Sequence, residues 1–242
     1  MESDNIYNKI LELFGRIPEN YSILEEQIDI KTQMAYFESS KKVKINRPDK
    51  IETLAKKELL FDDNISTNQK MEILTSLANL DDVEAYRLIE KYFKHCPPEL
   101  KDWVTLALQE CRMTLESSLL DENQVIISTG LGGKGKKLRY FTVLASKEGK
   151  SFSELQKKLI EKELNFSMKK REGEIEKIEF HDNYSTFLAI VPLNVSIKEL
   201  INIAIDECNQ IGNFISTKFI LTNVKILSID EIKGSWNKVS NE

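Results

Sequence analysis

Gly130-Leu131-Gly132-Gly133-Lys134-Gly135-Lys136-Lys137 is the constellation best suited to hold an anion. Glycines let backbone N–H groups approach a phosphate closely, and Lys134, Lys136, Lys137 and Arg139 add positive charge whose effect falls as salt rises. The outer glycines and Lys136 stand at the spacing of a phosphate-cradling loop. Two features exclude nucleotide hydrolysis. Lys137 occupies the position where a hydroxyl would hold magnesium, and Leu138 to Leu144 is strand-like, so no helix N-terminus faces the phosphate. The spacing and the missing strand-to-helix context also exclude a dinucleotide fingerprint. What remains is a flexible hairpin tip in which Gly132, Gly133, Lys134, Gly135, Lys136, Lys137 and Arg139 are the expected polyanion-binding residues. Lys147 and Lys150 stand toward the other end of the same strand. Such a tip suits structured RNA, as on a ribosomal surface, or an acidic protein; equally, it serves as a solubilising loop that protects an edge hairpin.

Other chemistry lacks parts. The two histidines, His95 and His181, stand at ligand spacing neither from each other nor from a cysteine, so zinc and imidazole-activated nucleophiles are not expected, and neither is a cofactor. His181 and Asp182 read as a hairpin-turn pair. Cys96, Cys111 and Cys208 are odd in number and sit in helical patterns, as reduced core thiols do. Asp82 belongs to a helix-capping pattern with Asp81, while Asp62 and Asp63 sit in a loop. Lys169, Lys170 and Arg171 form a second basic patch, but Glu172, Glu174, Glu176 and Glu179 surround it, which suits a solvated turn. The expectation is therefore a chain without catalytic residues.

The elements that must position these groups come from a chain of 242 residues, 41% hydrophobic and 30% charged, with nine Gly and five Pro. That balance excludes a collagen-like or disordered chain and favours a helix-rich globule. No apolar run reaches bilayer length, and Met1 to Ile10 lacks a signal-peptide pattern, so a cytoplasmic protein with no membrane partner is expected. Residues 1–121 carry 16 Lys+Arg against 23 Asp+Glu, and residues 122–242 carry 18 against 16. Charges of −7 and +2 suggest two modules, 1–121 and 122–242, with any polyanion contact local.

In the first module Ile6, Tyr7, Ile10, Leu11, Leu13 and Phe14 form one face of a short helix. Residues 20–40 are weakly periodic, and Lys41, Lys42, Lys44 and Arg47 read as a basic loop before a helix from Ile51. Ser66 with Gln69 caps a helix carrying Met71, Leu74, Leu77 and Ala78. Asp81 with Glu84 caps a second that places Val83, Tyr86, Ile89 and Phe93 inward. After Pro97 and Pro98 a third runs with Leu100, Trp103, Val104, Ala107, Leu108, Cys111, Leu115 and Leu119 at i, i+3, i+4, i+7. The Asp pair in the turn and the proline before the next helix resemble HEAT-type helical repeats over about residues 50–120. That resemblance implies a scaffold that docks a protein partner; a plain helical domain is the alternative reading.

The second module reads as a strand over Gln124 to Leu131, a strand over Leu138 to Ser146, a helix capped by Ser151 with Glu154, and a hairpin of Glu174 to Asp182 with Ser185 to Leu193. A helix capped by Ser196 with Glu199 and ended by Gly212 follows, then a last strand over Phe214 to Ile229. From Leu138 the order βαββαβ is ferredoxin-like, with an extra strand in front. The fold class expected is thus α+β, a helical HEAT-like domain followed by a ferredoxin-like antiparallel sheet. The function expected is a non-enzymatic adaptor that docks a protein on its helices and contacts a polyanion, ribosomal RNA, through its Gly/Lys hairpin. A small-molecule regulator with an ACT-like sheet and an enzyme of unfamiliar type are the alternatives.

Overall fold

A computed structural model describes residues 20–46, 49–122 and 124–240, with positions 12, 15 and 18 before them. The expected helix face at 6–14 lies outside these residues apart from position 12. The chain divides into two units, one of residues 20–22 and 28–127, the other of residues 23–27 and 128 onward.

In the first unit a short strand, β1 (Tyr21–Ile23), precedes α1 (Ile30–Asn46), α2 (Lys50–Ala55), α3 (Thr67–Ala78), α4 (Val83–Phe93) and α5 (Lys101–Leu120). α1 buries Gln33, Tyr36 and Ser40. A polar buried face explains why residues 20–40 show so little hydrophobic period. Because α1 runs on to Asn46, Lys41, Lys42 and Lys44 are helical rather than a loop; Lys42 pairs with Glu38 one turn back and Lys44 with Glu110. Asp49 caps α2 by accepting the Glu52 N–H, and Ser66 and Gln69 cap α3 reciprocally. The cap of α4 is Asp82, one residue later than expected, and it accepts from Glu84 and Ala85; Asp81 instead accepts the Ser118 hydroxyl. The shift turns Val83 outward and leaves Ala85, Ile89 and Tyr92 buried. α5 starts after a 3-10 turn at Pro98–Leu100 and packs on α1, α3 and α4, burying Trp103, Val104, Ala107 and Cys111. The helices gather around α5 instead of stacking as equal HEAT-type repeats. The stripe of α5 also stops short, since Leu119 is exposed.

The expected strand over Gln124 to Leu131 is broken. Val125–Ile127 (β2) pairs with β1, and Gly130 to Gly132 turn back before β3 (Gly133–Lys134). β4 (Lys137–Ser146), α6 (Glu154–Lys169), β5 (Glu174–Phe180), β6 (Tyr184–Pro192), α7 (Ile197–Gly212) and β7 (Ile215–Thr222) follow. The strands lie in the order β5-β6-β4-β7, every neighbour antiparallel, with β3 paired to the first residues of β4. The protein is thus α+β, helices followed by an antiparallel sheet. α6 opens on Ser153 with Gln156, not Ser151 with Glu154. α7 ends on Asn213, whose φ of 49° takes the left-handed role expected of Gly212.

Period-2 alternation sends Leu138, Tyr140, Thr142 and Leu144 to the face covered by the mutually packed α6 and α7. The alternate residues Phe141 and Val143 join Leu131, Ile220 and Ile232 in a second cluster. Ile232 belongs to α8 (Ile229–Ser240), which begins where the expected last strand ends and for which no element was expected. β7 ends at Thr222, and Ser228 with Glu231 then forms a helix cap: the Ser228 N–H donates to Glu231 at 2.9 Å and the Glu231 N–H returns to Ser228 at 3.4 Å. Among the described residues no helix is long and apolar enough to cross a membrane.

Candidate functional site

The Gly/Lys segment is not a flexible finger. Its tip is the two-residue turn Gly135-Lys136 between Lys134 and Lys137, with Gly135 at φ +59° as such hairpins require. The preceding glycines are packing positions. A Cβ on Gly130 would stand 1.7 Å from the Val224 carbonyl oxygen, and one on Gly132, which has φ +65°, would stand 2.3 Å from that of Glu25. Leu131 donates its N–H to Asn223 O at 3.0 Å and Gly133 donates to Glu25 O at 3.3 Å. The Gly135 N–H donates to the Glu25 carboxylate at 2.7 Å. Gly132 and Gly133 are buried and their N–H groups are spent inside the protein, on Thr129 O and Glu25 O.

The cations divide in the same way. Arg139 is held in a fork by Glu176, Nε to Oε2 at 2.5 Å and Nη2 to Oε1 at 3.0 Å, and its Nη1 donates to Leu131 O at 2.8 Å. A β-bulge between Ile175 and Lys177 makes this possible by leaving Glu176 as the extra residue on its strand. The hydrogen bonds that Arg139 donates to the Glu176 carboxylate push its guanidinium further above its already high ordinary value. Lys137 donates to the Glu172 carbonyl at 2.6 Å. Lys134 and Lys136 are exposed.

The Lys137–Glu172 bond does something that sequence separation hides: it brings the hairpin to the end of α6. There Lys169, Lys170 and Arg171 are all exposed, and the Gly173 N–H closes the helix on Met168 O at 2.8 Å, with Glu172 at φ 59°. Three cations at a helix C-terminus also match the sign of its dipole. The two basic segments, expected to be separate, occupy one corner of the sheet. Lys147 and Lys150 lie beyond the far end of β4, bonded to Asn213 and Glu148.

At the opposite end of β4 is a pocket of about 220 Å³ lined by Val143, Ala145, Asn183, Tyr184, Ile229, Ile232, Lys233 and Trp236. His181 stacks on Tyr184 with ring centroids 4.5 Å apart and planes 25° apart, and its Nε2 lies 3.4 Å from the Thr186 hydroxyl. Sequence reasoning missed this pocket because it missed α8. The legible signal was Ser228-Ile229-Asp230-Glu231, a capping pattern followed by Ile232 and Trp236 at helical spacing. A larger cavity of about 400 Å³ lies in the helical unit, but Asp49 there is spent as a cap and Glu52 on Lys56 at 2.9 Å. Among the described residues no group of three His, Cys, Asp or Glu could hold a metal ion. Asp62 serves its own turn: hydrogen bonds from Asn64 hold its carboxyl below the ordinary value. The three cysteines are free thiols, with Cys111 and Cys208 buried and Cys96 half-buried.

No protein-family model matches the chain, and no curated protein does. Among solved structures, the chain is similar to a transposase candidate from Deinococcus radiodurans R1, at 12% identity and a TM-score of 0.34, over 43% of this chain and 90% of that one. It is also similar to a REP-associated tyrosine transposase bound to a REP hairpin, at 10% identity and a TM-score of 0.33, over 43% of this chain and 63% of that one. These are transposases, not adaptors or ribosomal proteins, and on that finding the expectation of a non-enzymatic, ribosome-associated adaptor is withdrawn. At these TM-scores the likeness assigns no activity to this chain in the adaptor's place. The geometry adds a physical reason for the correction: the finger on which the adaptor reading depended is tied down by Glu25, Glu172 and Glu176.

Proposed function

We propose that the sheet unit binds a nucleic-acid strand at the corner where the β3–β4 turn meets the C-terminus of α6. The observation that supports it is the convergence of Lys134 and Lys136 with Lys169, Lys170 and Arg171 through the Lys137–Glu172 bond. Exposed cations from two separate segments form one local patch on a chain of net charge −5, and phosphate binding depends on such local charge. Two nearby carboxylates, Glu25 and Glu176, are engaged by Gly135 and Arg139 and so are partly withdrawn from opposing the patch. Gly132 and Gly133 act as supports rather than as contacts. We read the sheet, with its order β5-β6-β4-β7 and two helices on one face, as ferredoxin-like; α8 packs on part of the second face, and the sheet corner is what remains for binding.

Fluorescence anisotropy with labelled single-stranded and hairpin oligonucleotides, of DNA and of RNA, tests the proposal across a salt series. The affinity should fall as salt rises. The triple variant Lys169→Glu, Lys170→Glu, Arg171→Glu should weaken binding of every sequence and lower the slope of log K against log salt by about 2, from about 0.7 per lost contact on a single strand. An unchanged slope in that variant, or no binding by the parent chain at low salt, would overturn the proposal.

A further inference from the structure

We infer that the pocket between β4, the β5–β6 turn and α8 takes one unpaired nucleobase. At about 220 Å³ it is smaller than the pockets that take drug-sized ligands, and it suits one planar ring system. Tyr184 and Trp236 supply aromatic walls, and every base presents a face that stacks on such rings. Asn183 stands in the lining with an amide that donates and accepts, the combination that reads a base edge. Lys233, exposed on α8, supplies a cation for the phosphate attached to that base. The walls are held in place before a ligand arrives. The Tyr184 ring is stacked on His181, and α8 is fixed by its Ser228–Glu231 cap and by Ile232, packed with Phe141, Val143 and Ile220. Stacking and edge recognition in an apolar recess are what an extruded base requires.

The inference deepens the nucleic-acid reading and rests on it for the source of the base, since a free nucleotide and a base in a strand present the same ring. Trp236 is also the reporter. The chain has two tryptophans, and replacing Trp103, which lies in the helical unit, by Phe leaves Trp236 alone. In that background deoxyadenosine should quench Trp236 saturably. Asn183→Ala should weaken the nucleoside roughly three- to ten-fold, as loss of one hydrogen bond does. Tyr184→Ala should weaken it roughly ten-fold or more, as loss of a stacking partner does. Lys233→Glu should weaken deoxyadenosine monophosphate and leave deoxyadenosine unchanged, and because Lys233 is exposed this variant does not depend on repacking. Quenching by a single-stranded oligonucleotide assigns the base to a strand, and quenching by the monophosphate without the oligonucleotide assigns it to a free nucleotide; both support the pocket. Absence of saturable quenching by nucleoside and monophosphate, or quenching indifferent to Asn183→Ala and Tyr184→Ala, would overturn it. The Lys169, Lys170, Arg171 variant separates the two readings, because it should weaken oligonucleotide capture at the corner and lower its salt slope without altering nucleoside quenching.

Discussion

Replacing Glu110 by Ala should cost the helical unit about 3–5 kcal/mol, the range found when one partner of a buried ionic cluster is removed. The figure follows from what Glu110 holds. Its carboxylate accepts from the Tyr36 hydroxyl at 2.6 Å, the Ser40 hydroxyl at 2.6 Å, the Lys44 ammonium at 2.8 Å and the Asn79 amide at 3.3 Å. Lys44 is half exposed and swings into water on truncation, so its loss is small. Tyr36 and Ser40 have no such exit, being 0% and 2% exposed, and a buried donor left without a partner costs about 1–3 kcal/mol. Asn79 reaches Ser40 at 3.3 Å and recovers part of that. The cavity left by the side chain adds to the total. Glu110→Gln keeps one acceptor oxygen and should cost less than half as much. Urea unfolding followed by Trp103 emission reads the right region, because the Trp103 ring lies 5.2 Å from that of Tyr36. Combining Glu110→Leu with Tyr36→Phe and Ser40→Ala removes the donors along with the acceptor and should restore most of the loss. A Glu110→Ala cost below about 1 kcal/mol would refute the premise that this carboxylate is the hub of α1, α3 and α5.

Gly130→Ala should destabilise the sheet unit by more than about 3 kcal/mol or prevent its folding, because the new Cβ meets the rigid backbone of Val224, whereas Gly135→Ala, with open space around it and only the strain of φ +59°, should cost about 1 kcal/mol; thermal unfolding of the pair checks both. Burial pushes the Cys111 and Cys208 thiols up to about 12, so a disulfide reagent at mildly alkaline pH should label only Cys96 before unfolding and all three cysteines after it. The Lys225 ammonium and the Ser228 cap hold Glu231 at about 2 against an ordinary 4.5. A depressed carboxylate stabilises above its unfolded value and ceases to do so as pH falls through the folded one. The seating of α8 should therefore weaken between about pH 4.5 and pH 2, seen as a red shift of Trp236 emission that Glu231→Gln flattens.

Where local chemistry and tertiary packing agree, the sequence was readable. Ser66 with Gln69 and the run from Trp103 to Cys111 each fix an element by bonds or burial within a few residues, whereas the α4 cap was read one residue early, at Asp81 instead of Asp82. The paired strands and helices from Leu138 to Thr222 were legible for the same reason. α1 was not, because it buries Gln33, Tyr36 and Ser40 around a distant Glu110, and a hydrophobic period cannot register a polar interior. α8 was missed because the β-branched residues after Phe214 suggested one long strand past Asn223, and the Ser228–Glu231 cap was outweighed. The glycine run was misjudged for a different reason. Glycine permits close approach by anything, and sequence alone cannot separate a phosphate from the backbone of Glu25 or Val224. Tyr184 and Trp236 line one pocket only once the missed helix is in place.

Residues 23–27 belong to the sheet unit although the chain between them and Ser128 builds the other one. During synthesis these five residues emerge before the helical unit, and Glu25 waits 110 positions for the Gly135 amide whose hydrogen bond it accepts. The helical unit is thereby an insertion in the chain of the sheet unit, and folding of the insertion first would shorten the effective separation between the two segments that must meet. Severing the chain near residue 122 would separate the sheet unit from its own first segment, so a C-terminal fragment expressed alone would lack the backbone against which Gly132 and Gly133 are set.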